Sequence, residues 1–293
     1  MTRFVGAASA LVTPFRDDVL DESALRELTE RQLAAGMDFV VPCGTTGESP
    51  VLSVDEHARV VEVVVSQVRH RVPVLAGAGA NSTKKTIELS RRCQDAGADG
   101  LLLVCPYYNK PSQAGLVAHF RAVLDAVPLP AVLYDIPART GISIEFGTYE
   151  ALAEIAAVVG VKEASGNILA AQRIVARYGD RFDVLSGDDA LTLGMMAVGA
   201  VGLISVAGNL LPGPVAEVVH RVAKGELAQA RALHQRLLPI HEALFAETNP
   251  SPIKAALAAQ GLIAPELRLP LVWPTEATRR RLEEVLEASE FRP

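Results

Sequence analysis

The chain has 293 residues, a net charge of -6 and 49% hydrophobic residues. That length suits one α/β barrel with an extension, and the apolar fraction supplies a large core. An acidic balance with no Lys/Arg-rich run argues against a nucleic-acid partner, and no apolar run is long enough to cross a bilayer.

The three cysteines, Cys43, Cys93 and Cys105, form no CxxC pair. They read as reduced packing residues of a cytoplasmic protein. The six histidines show no ligand spacing, so no metal is expected. Arg3 before an apolar run, with Ala8-Ser9-Ala10 after it, resembles a signal cleavage site. A buried first strand over Val5–Val12 explains the run better, because a closed barrel needs that strand.

Taken in chain order, strand-like runs alternate with helix-length amphipathic segments up to about Lys224. The strands are predicted at Val5–Val12, Phe39–Cys43, Val72–Ala76, Gly100–Val104, Ala131–Asp135, Val159–Glu163, Asp183–Ser186 and Val201–Ser205. The intervening helices are predicted at Ser23–Ala35, Val54–Arg69, Ser82–Ala96, Gln113–Ala126, Glu145–Ala157, Leu169–Tyr178, Ala190–Val198 and Pro214–Ala223. Asp21 or Ser23, Ser53 and Ser82 serve as N-caps, and Gly36 and Gly97 as terminators. Strands apolar on both faces mark a covered parallel sheet. Eight such units give a (β/α)8 TIM barrel over residues 1–224. The doubly wound alternative lacks its GxGxxG loop, since Ser82 stands where the third glycine belongs. Residues 225–293 read as a C-terminal helical extension, with helices at Glu226–Leu238, Ile240–Glu247, Ile253–Gln260 and Thr275–Ala288.

In such a barrel the chemistry sits at the C-terminal strand ends. Lys162 stands inside an apolar strand, where a buried ammonium is costly. Gly160, Lys162 and Ala164 share one strand face, which leaves room beside the amine. Desolvation lowers a lysine's pKa and makes it nucleophilic. Taken alone, a strand-end lysine that snorkels or pairs with a carboxylate is the better explanation; the neighbouring loops reverse that preference. Thr45 and Thr46 follow a glycine at a strand end and could hold a small carboxylate, or simply form a polar turn. Tyr134 ends the adjacent strand, where a phenol could move protons at a bound carbonyl or serve as an amphipathic core residue. Arg139, on the next loop, could clamp a second carboxylate, although a solvated loop cation is the commoner fate. Tyr107 and Tyr108 form a doublet suited to an interface. Asp188 and Asp189 read as caps of the following helix.

The blocks Gly44–Ser49, Pro106–Gln113, Tyr134–Gly141 and Lys162–Gly166 together resemble the dihydrodipicolinate synthase and N-acetylneuraminate lyase superfamily of pyruvate-dependent aldolases, and within it the synthase branch. The likeness runs from Gly6, through Val12-Thr13-Pro14-Phe15, to Leu267-Arg268-Leu269-Pro270. It implies a Schiff base between Lys162 and pyruvate, with Thr45 and Thr46 on the pyruvate carboxylate. It implies a proton relay of Tyr134, Thr45 and Tyr108, the last reaching in from a neighbouring subunit. It implies Arg139 on the carboxylate of aspartate semialdehyde, and the Ile204 backbone against substrate. The implied reaction is condensation of the two substrates in the diaminopimelate route of lysine biosynthesis, with no cofactor, in a homotetramer built as a dimer of dimers. The alternatives are a sister aldolase acting on sialic acid or a 2-keto-3-deoxy sugar acid, and a non-catalytic keto-acid-binding barrel. Asp135 and Ser251 depart from the Asn commoner in the family at the first position and the Ile commoner at the second. In lysine-regulated relatives an allosteric pocket is formed at positions matching Ser49, His57, Asn81 and Tyr107. Val54 and Lys85 differ there from the usual histidine and glutamate, so weak or absent inhibition by lysine is expected.

Overall fold

The computed structural model describes residues 4–291, so Arg3 lies outside the described residues. Eight strands form the barrel: β1 (Gly6–Ala10), β2 (Phe39–Val41), β3 (Leu75–Gly77), β4 (Gly100–Val104), β5 (Ala131–Asp135), β6 (Val158–Glu163), β7 (Asp183–Ser186) and β8 (Gly202–Ser205). All barrel pairings are parallel, in the order β2-β1-β8-β7-β6-β5-β4-β3. The ring closes through a parallel bridge between Val40 and Val74. Pro73 has no N–H to give the ladder, and regular pairing of β3 starts after it, later than the sequence pattern places it. Gly77 ends β3 where a Cβ would lie 2.2 Å from the Cys43 carbonyl oxygen, so only glycine lets these strand ends meet.

Alternation along each strand divides the apolar residues into two cores. The lumen is filled by Ala8, Phe39, Leu75, Leu102, Val132, Leu185 and Ile204, with Phe4 set edge-on to Phe39. The outer faces pack against a ring of helices: α1 (Glu22–Ala34), α2 (Val54–Val68), α3 (Thr83–Asp95), α4 (Gln113–Ala126), α5 (Thr148–Ala153), α6 (Ile168–Tyr178), α7 (Thr192–Ala197) and α8 (Pro212–Ala223). Asp21, rather than Ser23, caps α1, and Ser53 and Glu56 form a reciprocal capping box on α2.

Two helices differ from expectation. The α5 segment is short because the chain turns after Ala153. The carbonyls of Ala153 and Ile155 accept from the Arg181 guanidinium instead of continuing a helix, and so does that of Val158 at the start of β6. Residues 227–244 form one helix, α9 (Leu227–Leu244), where a break at Pro239 was expected. Pro239 is exposed, and so is Gln235, whose carbonyl the proline leaves without its helical donor. An exposed carbonyl is open to solvent, so losing its helical donor costs little and the helix continues. Two further helices, α10 (Ser251–Ala259) and α11 (Glu276–Ala288), complete the C-terminal region. Among the described residues no helix is long and apolar enough to cross a membrane.

Candidate active site

Lys162 projects from the C-terminal half of β6 into the lumen and is 5% exposed. It pairs in register with Tyr134 on β5 on one side and with Leu185 on β7 on the other. Its Nζ lies 4.3 Å from the centre of the Tyr134 ring. Room for the stem comes from Gly187, where a Cβ would sit 2.9 Å from the lysine Cε and 2.7 Å from the Ala164 Cβ. Burial pushes the Lys162 ammonium down to about 7, with the Asp189 charge opposing the shift and the Arg139 charge adding to it. At neutral pH the amine is therefore a nucleophile for a large fraction of the time.

Burial pushes the Tyr134 phenol up to about 12, with the Arg139 charge and the Thr45 side chain opposing the shift. It stays protonated over the working range and can hand a proton to an oxygen or nitrogen beside Lys162. Thr46, next to Thr45, is buried, and its Oγ1 accepts from Asn249 Nδ2 at 3.0 Å. The loop beneath these threonines is folded by Gly47 N–H and Glu48 N–H donating to the Gly44 and Thr45 carbonyls, and by Thr13 Oγ1 donating to the Gly47 carbonyl.

Arg139 stands on a single helical turn, Pro137–Thr140, after β5. Its Nη2 donates to the Asn249 carbonyl at 2.9 Å, so Asn249 touches both Thr46 and Arg139. The loop carrying Arg139 returns to the barrel where Ile144 N–H donates to Asp135 Oδ2 at 3.1 Å. Burial, together with the neighbouring Glu163, pushes the Asp135 carboxyl up to about 7, while the Ile144 bond pulls it down.

Thr45, Tyr134 and Arg139 line one cavity of about 190 Å³, together with Tyr107, Ser49, His57 and Lys85. Lys162 and Thr46 lie beside this wall rather than on it, and Ile204 contributes its side chain to the lumen cluster that includes Tyr134. Tyr108 is not among these residues. Its backbone has φ 70° and the residue is 88% exposed.

A second buried lysine lies close by. Lys254 on α10 is fully buried and donates to Glu48 Oε1 at 2.6 Å and to the Thr13 carbonyl at 2.9 Å. The other Glu48 oxygen accepts from Arg268 N–H at 3.1 Å. Both Lys254 and Arg268 stand over the Phe15 ring. This pair bolts the C-terminal region to the loop that carries the threonines. Sequence reasoning missed the pairing, although a lysine inside the apolar run Ile253–Leu257 carries the same signal that singled out Lys162. Asp189 also departs from expectation. Asp188 caps the turn before α7 through Ala190 N–H and Leu191 N–H, whereas Asp189 accepts from Ser205 Oγ, Val206 N–H and Ala207 N–H at the end of β8. Asp189 is buried, and the β8 donors claim both of its oxygens.

Residues 3–289 match the model of the dihydrodipicolinate synthetase family. A relative from Pelobacter propionicus, named 4-hydroxy-tetrahydrodipicolinate synthase, is 51% identical over 285 residues, which cover 97% of this chain and 98% of the relative. The 4-hydroxy-tetrahydrodipicolinate synthase structure from the thermoacidophilic methanotroph Methylacidiphilum fumariolicum superposes with a TM-score of 0.96 at 43% identity, covering 97% of this chain and 95% of that one. The dihydrodipicolinate synthase from Cyanidioschyzon merolae, solved with lysine bound, gives a TM-score of 0.94 at 38% identity over 97% of this chain and 98% of that one. The chain belongs to the dihydrodipicolinate synthetase family.

Proposed function

We propose that the chain is a class I, Schiff-base enzyme with 4-hydroxy-tetrahydrodipicolinate synthase activity, joining pyruvate to L-aspartate 4-semialdehyde. The observation that carries the reading is the buried Lys162 amine, pushed down to about 7 and set 4.3 Å from the ring of Tyr134. The free amine attacks the pyruvate carbonyl carbon, and loss of water gives the imine. Tyr134, through Thr45, supplies the proton that the departing oxygen needs. A proton lost from the pyruvate methyl carbon makes the enamine, which adds to the aldehyde carbon of the second substrate. The amino group of that substrate then attacks the imine carbon, closing the ring and freeing Lys162. The lysine imine acts as the electron sink for these steps.

In this reading Thr45 and Thr46 hold the pyruvate carboxylate, and Arg139 holds the carboxylate of the semialdehyde at the mouth of the cavity. The Ile204 backbone lies against bound pyruvate. Tyr108, exposed on this chain, joins the relay of a neighbouring subunit in a homotetramer built as a dimer of dimers. The three free, buried cysteines suit a reducing cytoplasm.

Borohydride reduction in the presence of pyruvate, followed by peptide mass mapping, tests the chemistry. The expected adduct is on the peptide containing Lys162. An adduct on Lys254 or Lys110 instead, or none at all, overturns the mechanism. Turnover with aspartate semialdehyde, measured against sugar-derived aldehydes, then tests the second substrate.

A further inference from the structure

We propose that Asp189 is a positioning residue for the imine chemistry: its buried carboxylate, on the turn after the strand next to that of Lys162, clamps the end of β8 and supplies the fixed negative charge facing the cation formed at Lys162. The inference rests on the reading of Lys162 as the imine-forming residue.

The argument begins with connectivity. Asp189 follows β7 by three residues, and Gly187 between them lies flush against Lys162 and Ala164. The β7 turn is thus built directly on the lysine's own strand. From this turn Asp189 reaches across to β8, where Oδ1 accepts from Ser205 Oγ and Oδ2 accepts from Val206 N–H at 2.9 Å and Ala207 N–H at 3.2 Å. Ser205 Oγ in turn accepts from Gly208 N–H at 2.7 Å. Both carboxylate oxygens are engaged only as acceptors here, the pattern of an ionised group. The clamp sets the backbone immediately after Ile204.

A helix cap would need none of this. Asp188 performs the capping, and a second aspartate 2% exposed is expensive unless its charge is used. The charges facing Lys162 are Asp189 and Arg139, with the Tyr134 phenol as the neighbouring titratable group; Asp189 favours the lysine cation and Arg139 opposes it. Asp189 itself is faced by Asp188 and by His234 and His241 from α9. The two imidazoles are 5.7 Å apart, and burial holds both below the ordinary histidine range. They remain neutral near pH 7 and leave the Asp189 charge uncompensated from that side. A protonated imine is a cation in a dry lumen, and a preorganised opposite charge stabilises it without reorganisation.

Asp189→Asn removes the charge while keeping the shape. With the negative charge gone, the Lys162 amine loses its proton more readily. The pH profile of the trapping rate with pyruvate and borohydride should move to lower pH by about one unit, which is tenfold in the proton equilibrium. The pyruvate concentration for half-maximal trapping should rise about tenfold or more. Ser205→Ala removes one arm of the clamp but keeps the charge, so its trapping profile should stay at the native pH. A merely structural Asp189 would leave the pH profile where it is. If Asp189→Asn does not fold, Ser205→Ala carries the test of the clamp. Val206 and Ala207 amides should then exchange with solvent about tenfold faster or more, and unchanged exchange overturns the clamp. Native protein without an adduct at Lys162 overturns both the imine reading and this one. A native adduct with an unmoved Asp189→Asn profile overturns only the role of Asp189.

Discussion

Tyr134 and Lys162 stand opposite one another in the β5–β6 register, and the lysine Nζ lies 4.3 Å from the centre of the phenol ring. The two groups are shifted in opposite directions by the same cause. Burial disfavours the charged form of each, so the amine falls to about 7 and the phenol rises to about 12. Between those values the site holds a free amine next to an intact phenol. The rate of imine formation should therefore rise through about pH 7 and level off above it, as rapid-quench trapping over pH 5–9 would show.

The same shift acts on stability. Lys162 is lowered from 10.5 when folded, so between about 7 and 10.5 the unfolded chain binds more protons and stability rises with pH. Below about 7 the full cost of burying the ammonium is present. Lys162→Met should abolish trapping and stabilise the fold at pH 7 by about 1–3 kcal/mol, measured by urea unfolding. A less stable variant would show that the amine is better satisfied than its surroundings indicate.

Arg139→Ala should spare the imine and impair the second substrate. Losing a charge-assisted carboxylate contact costs about 1.5–3 kcal/mol, or roughly ten- to a hundredfold in kcat/KM for the semialdehyde. The Arg139 charge also presses the Lys162 pKa down. Removing it should move the trapping profile to higher pH, opposite in sign to Asp189→Asn. Loss of trapping in a folded Arg139→Ala protein would place the arginine elsewhere in the mechanism.

Breaking the Glu48–Lys254 pair from one side leaves a buried charge without its partner. Lys254→Met alone should cost about 3–5 kcal/mol in urea unfolding and weaken pyruvate binding, because Glu48 follows Thr45 and Thr46 on one loop. The double variant Glu48→Gln/Lys254→Met should recover most of that loss. Equal destabilisation of the single and double variants would mean that packing, not charge, governs this site.

Tyr108→Phe and Lys162→Ala subunits should each be inactive alone. Mixed under conditions of proven subunit exchange, they should regain activity if the exposed Tyr108 of one subunit serves the lysine of another. No recovery would confine Tyr108 to its own chain or to packing.

Lysine should inhibit weakly or not at all. Lys85 lines the same cavity as Ser49, His57 and Tyr107, and its positive charge adds to the burial that lowers the His57 pKa. An arriving ammonium meets a like charge there. Lys85→Glu should confer sensitivity in the condensation assay, and strong inhibition of the native enzyme by submillimolar L-lysine would refute the reading.

What the sequence made legible were features with a local signature. Strand runs, caps such as Ser53 and Ser82, and the anomalous Lys162 each stand out within a few residues. What stayed hidden depends on distant partners. Asp189 carries the same local pattern as Asp188, and only the position of Ser205 separates their roles. Asn249 looks like a turn residue until Thr46 and Arg139 are found on either side of it. Pro239 signals a break in every local scheme, yet its exposure lets α9 run through.

The ties from Asn249, Lys254 and Arg268 to the Thr46, Glu48 and Glu56 segment also order events during synthesis. A ribosome releases the threonine loop early, and every barrel strand has been made before Asn249 leaves the exit tunnel. Until Lys254 emerges, burying Glu48 would strand a charge, so the loop is expected to stay solvated. A nascent barrel can close its strands around Lys162, but the loop of Thr45 and Thr46 sets only after the segment from Asn249 to Arg268 has followed. Translation halted just after β8 is expected to yield a buried Lys162 without an ordered Thr45–Glu48 loop.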